Sequence, residues 1–115
     1  MLSVQPLSVS FASGTKTVDG GNKTQRLEKE VQALIKAGKA CHETKNMDKA
    51  IEAYSEAIEK ITNQANSQKF DKLTAKALVL RGNAFRHLGN IDAAIADTTA
   101  ARDIDPLALK YVRIY

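Results

Sequence analysis

Cysteine is nearly missing from this 115-residue chain: Cys41 stands alone, so no internal disulfide can form. No Cys or His partner lies at metal-ligand spacing from it, which removes the usual zinc motifs. A lone thiol suits a reducing compartment, and the expected location is the cytoplasm, or the nucleus. Long apolar runs are missing too. No stretch approaches the roughly 18 to 20 apolar residues that a membrane helix needs, and the N-terminus has neither a basic n-region nor a long apolar core. No membrane partner is therefore expected. Trp is absent, and the three Phe and three Tyr are not interleaved with basic residues as a base-stacking platform, so no nucleic acid is expected either. The chain also lacks a Gly-rich phosphate loop, a nucleophile elbow and a His/Glu pair at metal-binding spacing. It reads as no enzyme, with no catalytic residue, cofactor or metal.

What is present is ordinary for a soluble helical protein: 43% apolar residues, 26% charged, and many Ala, Lys and Glu. The length allows one domain. Seventeen Lys and Arg against thirteen Asp and Glu give +4, a tilt toward acidic partners. Asn22, Lys23 and Thr24 match a glycosylation sequon, which matters only in a secreted protein.

Residues 1–24 are rich in Ser, Thr, Gly and Val without a stable period, and Asp19, Gly20 and Gly21 favour turns, so a disordered N-terminal tail is expected there. From Thr24, an N-cap candidate, Leu27, Val31, Leu34, Ala37, Gly38 and Cys41 recur at helical steps and predict a helix over about 25–44. Asn46 then caps a second helix lined by Ala50, Ile51, Tyr54, Ala57, Ile58 and Ile61. So short a break forces the two helices antiparallel. Phe70, Leu73, Ala77, Leu78, Gly82, Phe85 and Leu88 mark a third helix, and Asp92 opens a fourth through Ala94, Ile95 and Ala101 that ends at Pro106. A short last helix is expected over 107–115.

The second helix pair repeats the first at a shift of 44 residues, which superposes Gly38 on Gly82, Asn46 on Asn90, Asp48 on Asp92, Ala50 on Ala94, Ile51 on Ile95 and Ala57 on Ala101. Small residues recur because only Gly or Ala lets helices cross closely. The order Gly38, Ala50, Tyr54, Ala57, then Gly82, Phe85, Ala94, Ala101, Pro106 resembles the tetratricopeptide signature. Cys41, Thr62 and Thr98 depart from it. The resemblance implies an all-α fold, a right-handed superhelical stack of antiparallel helix pairs, within a domain over 25–115. Its repeats fall at about 31–64 and 75–108, with a capping helix over 107–115. The ten residues beyond the usual 34-residue unit fall between helices two and three, as longer helices or a longer loop.

The function that the resemblance implies is protein–protein interaction: an adaptor or scaffold module binding an acidic or extended segment, including a C-terminal peptide, of another protein. In that family the first helix of each repeat lines a concave groove. The matching positions are Gln32, Ile35, Lys39, His42 and Glu43, then Lys76, Val79, Asn83, Arg86 and His87, followed by Lys110 and Arg113. Lys39, His42, Lys76, Asn83, Arg86, His87, Lys110 and Arg113 are the candidate peptide-binding residues of this basic groove. His42 and His87 sit at neighbouring positions of equivalent helices, which brings them together across the groove, but with no carboxylate or thiol company they read as surface residues. A co-chaperone-like carboxylate clamp is the sharper alternative. Of its five positions only Lys110 fits, since Ile35, Lys39, Leu80 and Arg113 depart from the pattern. A further alternative is a structural subunit that uses its helix faces in a larger complex. The surplus of apolar residues in Leu107, Leu109, Tyr111, Val112, Ile114 and Tyr115 predicts self-association through the C-terminal helix.

Overall fold

The computed structural model describes residues 16–64 and 67–112, with side chains from Thr24 onward except that of Ser67. Four α-helices carry it: α1 (Lys16–Glu43), α2 (Met47–Thr62), α3 (Asp71–His87) and α4 (Ile91–Ile104). A 3-10 turn, Ser67–Phe70, leads into α3, and a 3-10 helix, Pro106–Tyr111, follows α4. No strand occurs among the described residues.

The two tight turns are built alike. Lys45 (φ 68°) and Gly89 (φ 83°) occupy the left-handed region just past α1 and α3. The backbone N–H groups of Asn46 and Asn90 then reach back to the carbonyls of Cys41 and Phe85, which closes each helix end. The same two asparagines open the next helix, accepting from the N–H of Lys49 and Ala93 at 3.4 and 3.3 Å. One residue thus ends a helix and starts another, so each pair folds back on itself, α1 against α2 and α3 against α4. α2 also packs on α3, joining the two pairs into one stack.

Leu27, Val31, Ile35, Ala50, Tyr54, Ala57, Ile61, Phe70 and Ala77 form the core of the first pair. Ala75, Leu78, Val79, Ala101 and Ala108 form a second core, and Ile58 touches both. Burying such side chains is the main source of stability, at about 25 cal/mol per Å² of apolar area. Arg81 ties three helices together: its Nε and Nη2 donate to Asp97 Oδ2 and Oδ1 at 2.7 and 2.8 Å, and Nη1 donates to Ser55 Oγ at 3.1 Å.

Several expectations change. α1 starts at Lys16 rather than near residue 25, and takes in Asp19, Gly20 and Gly21. Each helical Gly costs about 1 kcal/mol relative to Ala, but neither blocks a hydrogen bond, and the helix propagates from the packed turns after Leu27. The rest of the expected tail, residues 1–15, lies outside the described residues. Ala37 is exposed and Ile35 takes its place in the buried stripe, because the stripe of α1 turns toward α2 at Leu27, Val31, Ile35 and Gly38. Leu88 and Ile95, assigned to buried stripes, are 53% and 58% exposed. The last segment is a six-residue 3-10 helix in place of a helix over 107–115; so few residues fall below the length at which an α-helix propagates. The extra residues between the repeats lengthen α2 to Thr62, advance the start of α3 to Asp71 and form the turn between them.

Candidate peptide groove

Because α1 and α3 run in the same direction on one side of the stack, their side chains border a common trough. Gln32, Ile35, Lys36, Lys39, Ala40 and Glu43 of α1 face Leu73 and Lys76 of α3 across a volume of about 540 Å³. The α1 residues recur every three or four positions, so they share one helical face. Buried Ile35 and half-buried Leu73 supply an apolar floor, while Lys36 and Lys39 stand exposed on one wall and half-buried Lys76 lies on the other. Three ammonium groups therefore meet one carboxylate, Glu43. The outer side of α2 has the opposite character, with Glu52, Glu56 and Glu59 exposed together.

The candidate residues divide into three groups. Lys39 and Lys76 line the trough. His42 and His87 meet beside it, their rings 5.5 Å apart between centroids at an interplanar angle of 63°. Asn83, Arg86 and Lys110 belong to a second region, where the C-terminal segment of the chain lies against α3. Asn83 is 2% exposed, and its Nδ2 donates to the carbonyl of Tyr111 at 3.0 Å. Arg86 Nη1 approaches Asn83 Oδ1 at 3.4 Å. The ammonium groups of Lys76 and Lys110 stand 5.1 and 5.3 Å from the centre of the Tyr111 ring, within cation–π range. Arg113 lies outside the described residues.

Val79, expected to line the groove, does not: it is fully buried in the second core. Three contributors were missed, Lys36, Ala40 and Leu73. Lys36 follows Gln32 by one helical turn, so a projection of α1 alone would have found it. Leu73 lies in the extension of α3 that precedes the second repeat, where the family pattern assigns no groove position.

No helix among the described residues is long and apolar enough to cross a membrane. The comparisons give no match among curated proteins and none among solved structures. A family profile described as Tetratricopeptide repeat matches residues 31–59 and 75–106, together more than half of the chain. Both matches begin within the first helix of a pair and run through the second, in step with the 44-residue internal shift. The chain therefore belongs to the tetratricopeptide repeat family, whose helical repeats are protein–protein interaction modules.

Proposed function

We propose that the trough between α1 and α3 holds an extended, acidic segment of another protein, including one that ends in a free carboxylate. The observation that carries this is the ring of Lys36, Lys39 and Lys76 around an apolar floor with a single opposing carboxylate. An apolar side chain of the ligand rests on Ile35 and Leu73, while neighbouring carboxylates meet the lysines. Lysine acts here as a mobile point charge, which suits acidic sequences of varied spacing better than one fixed geometry. Asn83, Arg86 and Lys110 take part only if the segment around Tyr111 moves aside, since Asn83 already holds its carbonyl. A co-chaperone-like clamp would have to draw on the same trough lysines, because Lys110 is not among the residues that line the trough. The cytoplasm or nucleus is the proposed place of action, with Cys41 as a reduced thiol.

Fluorescence anisotropy with a labelled peptide of alternating Glu and Leu, and with its Lys counterpart, tests the reading. The acidic peptide should bind, weaken steeply with added salt, and be lost in Lys39→Glu with Lys76→Glu. Equal binding by the double variant removes the trough as the site.

A second reading, an assembly subunit, has its own support: Leu88, Ile91 and Ile95 are each at least half exposed around the α3–α4 turn. Among the described residues, self-association through the C-terminal segment narrows to Leu107 and Leu109, 71% and 36% exposed, because Ala108, Tyr111 and Val112 pack against the second core; Ile114 and Tyr115 lie outside the described residues. Sedimentation at rising concentration distinguishes these surfaces: Leu107→Lys with Leu109→Lys should abolish a dimer built on the C-terminal segment, and a monomeric wild type excludes it.

A further inference from the structure

We propose that His42 and His87 form a two-histidine site for a divalent transition-metal ion of the class that prefers imidazole, such as zinc or nickel. His42 is the last residue but one of α1 and His87 ends α3, so the two ligands stand on separate helices. A metal–nitrogen bond of about 2.0 to 2.1 Å puts the centre of an imidazole ring roughly 3.2 Å from the ion. Two rings at tetrahedral to trigonal angles then have centres about 5.2 to 5.5 Å apart. The observed 5.5 Å falls in that range without movement of either helix. His42 is half-buried and His87 exposed, so an ion reaches them from solvent.

One further feature favours a cation here. Both histidines lie in the last turn of a helix, at the negative end of its dipole. No three His, Cys, Asp or Glu side chains gather around a common point among the described residues. Water therefore completes the coordination, and the site is a chelate rather than a closed structural centre. Its consequence is mechanical. α1 and α3 touch each other sparingly compared with their contacts to α2, so an ion shared by His42 and His87 pins together the two helices that wall the trough.

The test uses the full chain without an affinity tag. Isothermal titration with zinc chloride and with nickel chloride should give one ion per chain, and the thermal unfolding midpoint should rise in the presence of either ion. His42→Ala and His87→Ala should each weaken binding at least about 10- to 100-fold, and the double variant should lose the midpoint shift while keeping its helical circular dichroism. Cys41→Ser should bind as wild type does. The proposal is overturned if wild type takes up no ion, if a single histidine variant binds as tightly as wild type, if Cys41→Ser abolishes binding with both histidines present, or if one ion is bound per two chains.

Discussion

The ring of Tyr54 lies so close to Gly38 that a Cβ on the glycine would stand 2.5 Å from Tyr54 Cε1. Tyr54 is fully buried, so its ring cannot swing out to make room. The equivalent glycine of the second repeat, Gly82, is less confined: a Cβ there would meet the carbonyl of Ala94 and Thr98 Oγ1, each at 3.3 Å. The difference follows from the sequence, because Thr98 takes the place of Tyr54 at the 44-residue shift.

Alanine substitution at the two glycines should therefore separate them. Removing a helical Gly gains about 1 kcal/mol of propensity, while forced overpacking costs about 1 to 3 kcal/mol. Gly38→Ala should lower the thermal midpoint clearly, whereas Gly82→Ala should change it little. Comparable losses in both variants would mean that the crossing distances, not the ring, set the limit.

The two turns supply a matched pair of a different kind. Lys45 and Gly89 hold the same backbone conformation, yet only glycine adopts it without cost. A side chain in the left-handed region costs about 1 to 2 kcal/mol. Lys45→Gly should stabilise the protein, partly offset by the greater freedom of the unfolded chain. Gly89→Ala should destabilise it, although no atom lies within 4 Å of the added Cβ. Chemical denaturation of both variants checks the two signs; a stabilising Gly89→Ala would contradict the argument.

The four α-helices, their pairing and the repeat were legible because each rests on local signals: apolar residues at helical steps, Asn46 and Asn90 as caps, and Gly or Ala at the crossings. The start of α1 was not, since Gly20 and Gly21 are read locally as a break while the packed turns beyond them decide the outcome. Part of the trough's lining could be read from the sequence. Lys39 and Lys76 follow from family positions, but the burial of Asn83 beneath Tyr111 depends on where residues 106–112 lie, which no period encodes. The Arg81–Asp97 pair was likewise hidden, because its partners are sixteen residues apart and meet only through the α3–α4 packing.

That pair has an internal control. At the 44-residue shift Arg81 corresponds to Ala37 and Asp97 to Ala53, so the first repeat has alanine at both positions. Asp97 is only 9% exposed in its side chain, and Arg81 22%. Removing one partner strands a charge; for fully buried pairs that costs about 3 to 5 kcal/mol, and partial exposure of Arg81 should bring it nearer 2. Asp97→Ala should thus be more damaging than the double variant Arg81→Ala with Asp97→Ala. If the double variant loses the sum of the two single losses, the pair is not coupled in the way the geometry implies.

The last prediction concerns the segment after Pro106. It is fastened at Asp105, whose side chain accepts from the N–H of Leu107 at 3.1 Å, at Ala108, 2% exposed in the second core, and at Asn83, which donates to the carbonyl of Tyr111. The first two attachments act at the start of the segment; at its far end Asn83 is joined by the packing of Tyr111 and Val112 on the second core. Asn83→Ala deprives that carbonyl of its donor and leaves space beneath the Tyr111 ring, a loss of about 1 to 3 kcal/mol where the group stays buried. The segment has a cheaper response, which is to lift away from Ala108 onward and expose its backbone to water. Trypsin reports on that opening, since Lys110 lies within the segment and its cleavage requires the local chain to leave α3. Asn83→Ala should be cut after Lys110 several times faster than wild type while cleavage within α2 and α3 keeps its wild-type rate. Faster cutting at all sites would show that Asn83 supports the whole domain, and an unchanged rate at Lys110 would show that Ala108 and the Tyr111 ring hold the segment without it.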